Sequence, residues 1–362
     1  MIVRQPPLVL AISADPGGTD AVLPVARRLA ETYNVTYVAT GKAPEMLDAV
    51  GFPHITPDEA TRLFGGEKLP SLIVSSMCSE VNWGHVAIAM FPSVPSAAIQ
   101  DYPLGSMGHR QPWGRIRPSR LLVNDETTKW MAANAWSDFP GNHIVVTGSP
   151  AFDALADFDI TLARQEARKA WGISGDDRTP VVLFAGGGRP TGSTLLELVR
   201  CLNELGQEVY LVVRPHPRMW TSPEFECERP HWHLATEELS GRCITDTTAD
   251  SNVAIAGADV VVACISTMLI KAASLHLPCI NVFRQREQVC YPEINQGCFA
   301  PVLQRCCAEA VYRERLLTLL EEAFDGRLAA QLRPAQETTY RLDGQNTARV
   351  VAVCERLLAG ES

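Results

Sequence analysis

The chain alternates short apolar runs with longer segments whose apolar residues recur at helical spacing. Leu8 to Ser13, Val35 to Ala39, Leu72 to Ser75, Val94 to Ile99, Leu121 to Val123 and His143 to Val146 are the runs of the first half. A run that is apolar on consecutive residues, rather than on alternate ones, predicts a strand buried on both faces. After the first run, Val22, Val25, Leu29 and Tyr33 fall on one helical face, and Ala43 to Val50, Glu80 to Met90 and Glu126 to Ala135 read as further helices. The second half has the same build. Strands are expected at Pro180 to Ala185, Glu208 to Val213, Cys243 to Ile244, Val260 to Ala263 and Cys279 to Phe283. Helices are expected at Leu162 to Trp171, Thr194 to Leu205, Asn252 to Ala256, Thr267 to Leu275, Ala308 to Phe324 and Thr347 to Leu358. Repeated strand–helix units of this kind predict open, mostly parallel sheets with helices on both faces.

The pattern breaks at a few places. Thr147-Gly148-Ser149-Pro150 reads as a hinge, which divides the chain into an N-terminal domain at 1–148 and a C-terminal domain at 149–340. The last helix, within 341–362, could return to the first domain. Asp101 to Arg117 holds His109, Arg110, Arg115 and Arg117 without periodicity, and is either an acceptor loop or lid, or a solvated basic loop. A second irregular stretch runs from Arg284 to Val302, and the stretch with Trp220, His231 and His233 carries no assignment.

Length and composition limit the function class. With 362 residues the chain can hold two domains, and 46% hydrophobic with 20% charged residues is ordinary for a folded soluble protein. A net charge of -9 argues against general nucleic-acid binding, and no apolar run is long enough for an integral membrane segment. The eleven cysteines have no metal-ligand spacing, which argues against zinc and for a reducing cytoplasm. Cys201, Cys264 and Cys279 sit in apolar patterns as small core residues.

Candidate chemistry gathers where strands end. Ser266 and Thr267 follow the strand Val260 to Ala263 and open a helix. A helix start offers free N–H groups and a positive dipole end to a phosphate, although Ser266 is also a common residue for capping its own helix. Arg214-Pro215-His216-Pro217-Arg218 follows another strand. The arginines suit phosphate oxygens, and His216 can stabilise a departing charge or be a structural histidine in a Pro-rich turn. Glycine turns, Gly17-Gly18 and Gly186-Gly187-Gly188, follow the first strand of each half and allow close approach to the backbone or simply a tight turn. The first of them lacks GxGxxG and its acidic partner, which excludes a dinucleotide site. Asp15, just past the first strand, is the preferred base over Asp20 and Asp101, with His85 and His109 as further candidates; Asp15 is also placed to start the turn.

The order of these pieces resembles the two-Rossmann-domain (GT-B) superfamily of nucleotide-sugar enzymes. Val146 to Leu155 (VTGSPAFDAL) is similar to the hinge segment of its 2-epimerases, Arg214-Pro215-His216-Pro217 to their Arg-x-His-Pro turn, and Ser266-Thr267 to their diphosphate-binding turn. The resemblance implies two Rossmann-like parallel-sheet domains facing each other across a cleft, with the acceptor on the first and the nucleotide on the second. It implies a glycosyltransferase using a nucleotide-diphosphate sugar such as a UDP-sugar. A UDP-N-acetylglucosamine 2-epimerase or a transferase using a CDP-linked donor is the alternative, and the epimerases' Gly-Thr-Arg-Pro-Glu turn is absent here. By resemblance Gly187, Gly188, His216, Ser266, Thr267 and Met268 line the donor site, with the amides of Thr267 and Met268 on the diphosphate. Lys271 stands where the family often has a ribose-binding glutamate. It could meet a phosphate, leaving the ribose to Glu287 or Glu293. No cofactor is implied beyond the donor, the acceptor is open, and a homodimer is allowed.

Overall fold

The computed structural model describes residues 6–65, 69–77, 83–101, 116–189, 191–216, 219, 223–226, 228–239, 242–290, 297–340 and 342–361. The chain divides into two compact units, one of Met1–Asp157 with Leu342–Ser362 and one of Phe158–Arg341.

The first unit is built as β1 (Leu8–Ser13), α1 (Pro16–Ala30), β2 (Asn34–Ala39), α2 (Ala43–Ala49) and α3 (Pro57–Phe64). It continues with β3 (Leu72–Met77), α4 (Trp83–Met90), β4 (Ser96–Gln100), β5 (Arg120–Val123), α5 (Glu126–Ala135) and β6 (Ile144–Val146). The strands form one parallel sheet in the order β2-β1-β3-β4-β5-β6. Both faces of β1 are covered, which is why its sequence is apolar throughout. Val9 and Ala11 pack with Val22, Val25 and Leu29 of α1, while Leu10 and Ile12 pack with Phe64 and Phe91 on the other face. A fully buried side chain of this size contributes roughly 1.5–3 kcal/mol.

The last helix of the chain belongs to this unit. It contributes Val350, Cys354 and Leu357 to the core over α1. Its first residues are also bound to the segment after β6. The amides of Asn346 and Thr347 donate to the Asp153 carboxylate at 2.8 and 2.7 Å, and Asn346 Nδ2 donates to the Ser149 carbonyl at 3.0 Å. These bonds keep residues 149–157 with the first unit, so the chain crosses between units at 157/158 and returns at 341/342.

The second unit runs α6 (Ile160–Ala170), β7 (Val181–Ala185), α7 (Gly192–Leu205), β8 (Tyr210–Arg214), α8 (Arg229–Glu238) and β9 (Cys243–Thr245). Then come α9 (Ser251–Gly257), β10 (Val260–Ala263), α10 (Thr267–Ser274), β11 (Cys279–Val282), α11 (Gln285–Cys290) and α12 (Ala300–Leu303). β12 (Ala308–Ala310), α13 (Arg313–Phe324) and α14 (Arg327–Thr339) complete it, and α15 (Asn346–Leu358) is the helix returned to the first unit. This sheet is also parallel, in the order β12-β11-β10-β7-β8-β9. Phe184, Leu195, Val199, Trp232, Val262 and Leu319 form part of its core. Cys201, Cys264 and Cys279 are wholly buried.

Two expectations need correction, and one unassigned stretch gains an element. Ala308 to Phe324 is not one helix, because Ala308–Ala310 pairs with Ile280–Val282 as an edge strand and the helix begins at Arg313. The unassigned stretch around His231 is helical, with Trp232 and Ala235 buried. The irregular stretch after Arg284 contains α11 and α12. No helix of the described residues is long and apolar enough to cross a membrane.

Candidate functional site

Each sheet has one place where the chain changes direction. From β7 it runs outward through β8 and β9, then starts again on the other side with β10. From β1 it runs to β2, then starts again with β3. Loops leaving the carboxyl ends of such strand pairs diverge and leave a crevice, which is where ligands of open α/β sheets bind. In the second unit the crevice lies between the ends of β7 and β10.

The turn at the end of β10 is held in an uncommon shape. Ile265 has φ +44, a left-handed conformation that is an outlier for a β-branched residue. Such backbone costs on the order of 1–3 kcal/mol and persists only where its surroundings enforce it. Here the Ile265 amide donates to Asn281 Oδ1 at 2.9 Å, and Asn281 is wholly buried on β11. The reversal places Ser266 at the start of α10 in extended geometry, where its Oγ accepts from the Met268 amide at 3.2 Å. Of the two amides assigned to a diphosphate, that of Met268 is therefore engaged by the cap. Thr267 is exposed, and its amide has no protein partner among the described residues. Lys271 donates to Ser251 Oγ at 3.1 Å, at the first residue of α9.

Across the crevice, the glycine turn after β7 is packed onto the turn after β8. A Cβ on Gly186 would stand 2.8 Å from the His216 amide nitrogen and 3.2 Å from the Trp232 ring. A Cβ on Gly188 would stand 3.9 Å from His216 Nε2. Gly187 donates to Thr191 Oγ1 at 3.4 Å. The structure thus brings Gly186, Gly188 and His216 together at adjoining strand ends. Arg214 is directed elsewhere. Its guanidinium pairs with the fully buried carboxylate of Asp246 and donates to the Thr248 carbonyl at 2.9 Å. Asp246 also accepts from Trp171 Nε1 at 2.9 Å, so Arg214 fastens the end of β8 to the loop after β9. Arg218 lies outside the described residues.

The start of α7 already holds an anion from the chain itself, because the Gly192 amide donates to the Glu228 carboxylate. Nothing in the local sequence announces this contact, which spans 36 positions. Glu287 is 3% exposed and accepts from the Arg284 amide at 2.9 Å, Arg284 Nη2 at 2.8 Å and Thr194 Oγ1 at 2.9 Å. Its carboxylate therefore anchors α11 on α7 and is not presented to a ribose. Glu293 lies outside the described residues.

In the first unit the corresponding crevice lies between β1 and β3. Gly17 and Gly18 do not form a separate loop; they fall in the first turn of α1, which begins at Pro16. Asp15 is the N-cap, with Oδ1 accepting from the Gly18 amide at 2.8 Å. Asp101, at the end of β4, approaches the same point. A Cβ on Gly17 would stand 3.1 Å from Asp101 Oδ2 and 3.6 Å from Asp15 Oδ1. Beneath them Ser13 Oγ shares hydrogen bonds with Thr19 Oγ1 at 2.9 Å and the Tyr37 hydroxyl at 2.7 Å. Burial raises the pKa of Tyr37 well above its ordinary value, so this hydroxyl stays protonated. Ser13, a lone polar residue ending an apolar strand, is the sequence signal for that chain. His85 is buried in α4, and His109, Arg110 and Arg115 lie outside the described residues. Arg117 pairs with Asp138 at 2.9 Å and stacks over Trp136, a structural contact.

Gly18 is required by close packing of α1 on β3. A Cβ there would lie 2.6 Å from Ser76 Cβ. Gly18→Ala should therefore lower stability by about 1–3 kcal/mol, the usual cost of overpacking, in a chemical denaturation experiment.

No protein-family model and no curated protein sequence matches the chain. Solved structures do. S. aureus MnaA, solved with UDP, aligns with a TM-score of 0.66 at 14% identity, over 98% of this chain and 97% of its own. The UDP-GlcNAc 2-epimerase of Methanocaldococcus jannaschii aligns at 0.63 with 14% identity, over 96% and 99%. A glycosyltransferase of Rickettsia africae aligns at 0.62 with 11% identity, over 98% and 99%. The likeness is one of fold: the chain carries the two Rossmann-like units of the GT-B fold, which glycosyltransferases and 2-epimerases of nucleotide sugars share.

Proposed function

We propose that the protein is a nucleotide-sugar enzyme that transfers a glycosyl group from a nucleotide-diphosphate sugar to a hydroxyl of a glycoconjugate, cell-surface or secondary-metabolite acceptor. The observation that carries this reading is the turn at Ile265, after which the Thr267 amide opens α10 without a protein partner among the described residues, at the end of a strand that neighbours β7, whose glycine turn meets His216. The diphosphate rests on that amide and the helix dipole. As the bond between the anomeric carbon and the diphosphate oxygen breaks, charge grows on the leaving oxygen, and His216 stabilises it. The acceptor oxygen forms the new bond, and its proton passes to Asp15. Nucleoside diphosphate leaves, and the reaction as drawn needs no cofactor.

A second reading, 2-epimerisation of the nucleotide sugar, is favoured by the pair of carboxylates at Gly17, since removal and return of a proton suits two acid–base groups. Incubation with a panel of UDP- and CDP-linked donors separates the two. Transfer predicts release of nucleotide that depends on an added acceptor. Epimerisation predicts a new sugar nucleotide with no acceptor present. If no donor in the panel is turned over and none raises the melting temperature, the nucleotide-sugar reading fails.

A further inference from the structure

We propose that the amino ends of β7, β10 and β11 form a second ligand site, for a small phosphate ester with an apolar or ring-bearing body. It lies at the end of the sheet away from the glycine turns and uses none of the residues assigned to the donor. An open cavity of about 1080 Å³ lies there, within the second unit. Cavities of this size accommodate a small organic ligand.

The cavity carries an excess of positive charge. Arg164, Arg168, Lys169 and Arg178 line it, against the single carboxylate of Asp259. Both oxygens of that carboxylate are already engaged. One oxygen accepts from Arg164, and the other accepts from Arg168 Nη2 at 2.9 Å and from the Val181 amide at 2.8 Å. The same arginines also hold the carbonyls that end α9. Arg164 Nη1 donates to the Ala258 carbonyl at 2.8 Å and Arg168 Nε to that of Gly257 at 3.2 Å. Their guanidiniums are thus fixed parts of the wall. Burial, with Arg164 adding to it, lowers the pKa of Arg168 despite Asp259, as expected where cations are crowded. Lys169 and Arg178 are exposed and make no ion pair among the described residues, which leaves them to meet an incoming anion.

The rest of the lining sets the ligand's other half. Ile173, Leu277, Pro278 and Phe324 supply an apolar wall beside the cations. Desolvated apolar surface next to arginine and lysine matches a phosphate joined to an apolar group, where a bare anion would leave that wall wet.

The test is calorimetric titration of the full chain with phenyl phosphate, and with inorganic phosphate for comparison. The wild type should bind phenyl phosphate saturably and inorganic phosphate more weakly. Lys169→Ala/Arg178→Ala, two exposed positions that do not hold Asp259, should weaken phenyl phosphate by about tenfold or more. Lys271→Ala, beside the donor turn, should leave this affinity unchanged. The proposal is overturned if the wild type shows no saturable binding, or if the double variant binds as well as the wild type. Loss on Lys271→Ala instead would assign the ligand to the donor crevice. Equal affinity for inorganic phosphate would reduce the site to one for a bare anion.

Discussion

Asp15→Asn is expected to lower turnover by about 10²–10⁴-fold, the usual contribution of a positioned general base, while nucleotide affinity and melting temperature stay near those of the wild type. The substitution is chosen for the cap. Asp15 Oδ1 accepts from the Gly18 amide at the start of α1, and an asparagine oxygen accepts the same bond. Asn therefore removes the proposed base and keeps the helix start. Asp15→Ala removes both, and should cost about 1 kcal/mol of stability in addition to activity. Full activity in Asp15→Asn, with the cap intact, would leave Asp15 as a structural residue only and turn attention to Asp101, which meets it at Gly17.

Asn281→Leu should be the most damaging of the substitutions considered, because it disturbs both the fold and the turn proposed to hold the donor. Asn281 is wholly buried; its Oδ1 accepts from the Ile265 amide at 2.9 Å and its Nδ2 donates to Glu309 Oε1 at 3.0 Å. Leucine leaves a buried amide unsatisfied, at about 1–3 kcal/mol, and frees Ile265 to leave its left-handed conformation. Loss of roughly 2–4 kcal/mol in denaturant unfolding is expected, with nucleotide binding lost more than stability alone explains. The deficit should also depend on pH. Burial already raises the pKa of Glu309, and bonds from the Gly297 amide and Asn281 partly offset it. Removing Asn281 raises it further. A carboxyl whose folded pKa lies above its unfolded value binds more protons when folded, so stability falls as pH rises through that interval. Asn281→Leu should therefore be closer to wild-type stability at pH 5 than at pH 8. A pH-independent deficit would show that Glu309 does not feel the missing donor.

Much of the candidate site was legible because its pieces sit at strand ends. Gly186, Gly188, His216 and Ser266 all follow apolar runs in the sequence, and parallel strands carry such residues to one edge of the sheet. What those residues touch was not legible. Arg214 has the charge of a phosphate ligand, yet its partner Asp246 lies 32 positions away on the neighbouring loop. Glu287 has the chemistry of a ribose ligand, yet Arg284 and Thr194 engage it. Gly17 and Gly18 look like a tight turn, but the Asp15 cap and Pro16 start the helix before them.

The sequence by itself determined most of the parallel strands, many of their helices and a two-part plan, since burial on both faces demands consecutive apolar residues that few other structures need. It could not place Ala308–Ala310, whose strand exists only because β11 offers it an edge to pair with. Nor could it assign 149–157 to the first unit, which rests on Asp153 meeting the start of α15 about 200 positions later. Tertiary structure alone decided which polar side chains are spent on one another, and that the Thr267 amide has no protein partner among the described residues. Hydrogen bonds and ion pairs depend on distances across the fold, whereas the hydrophobic pattern is written locally along the chain.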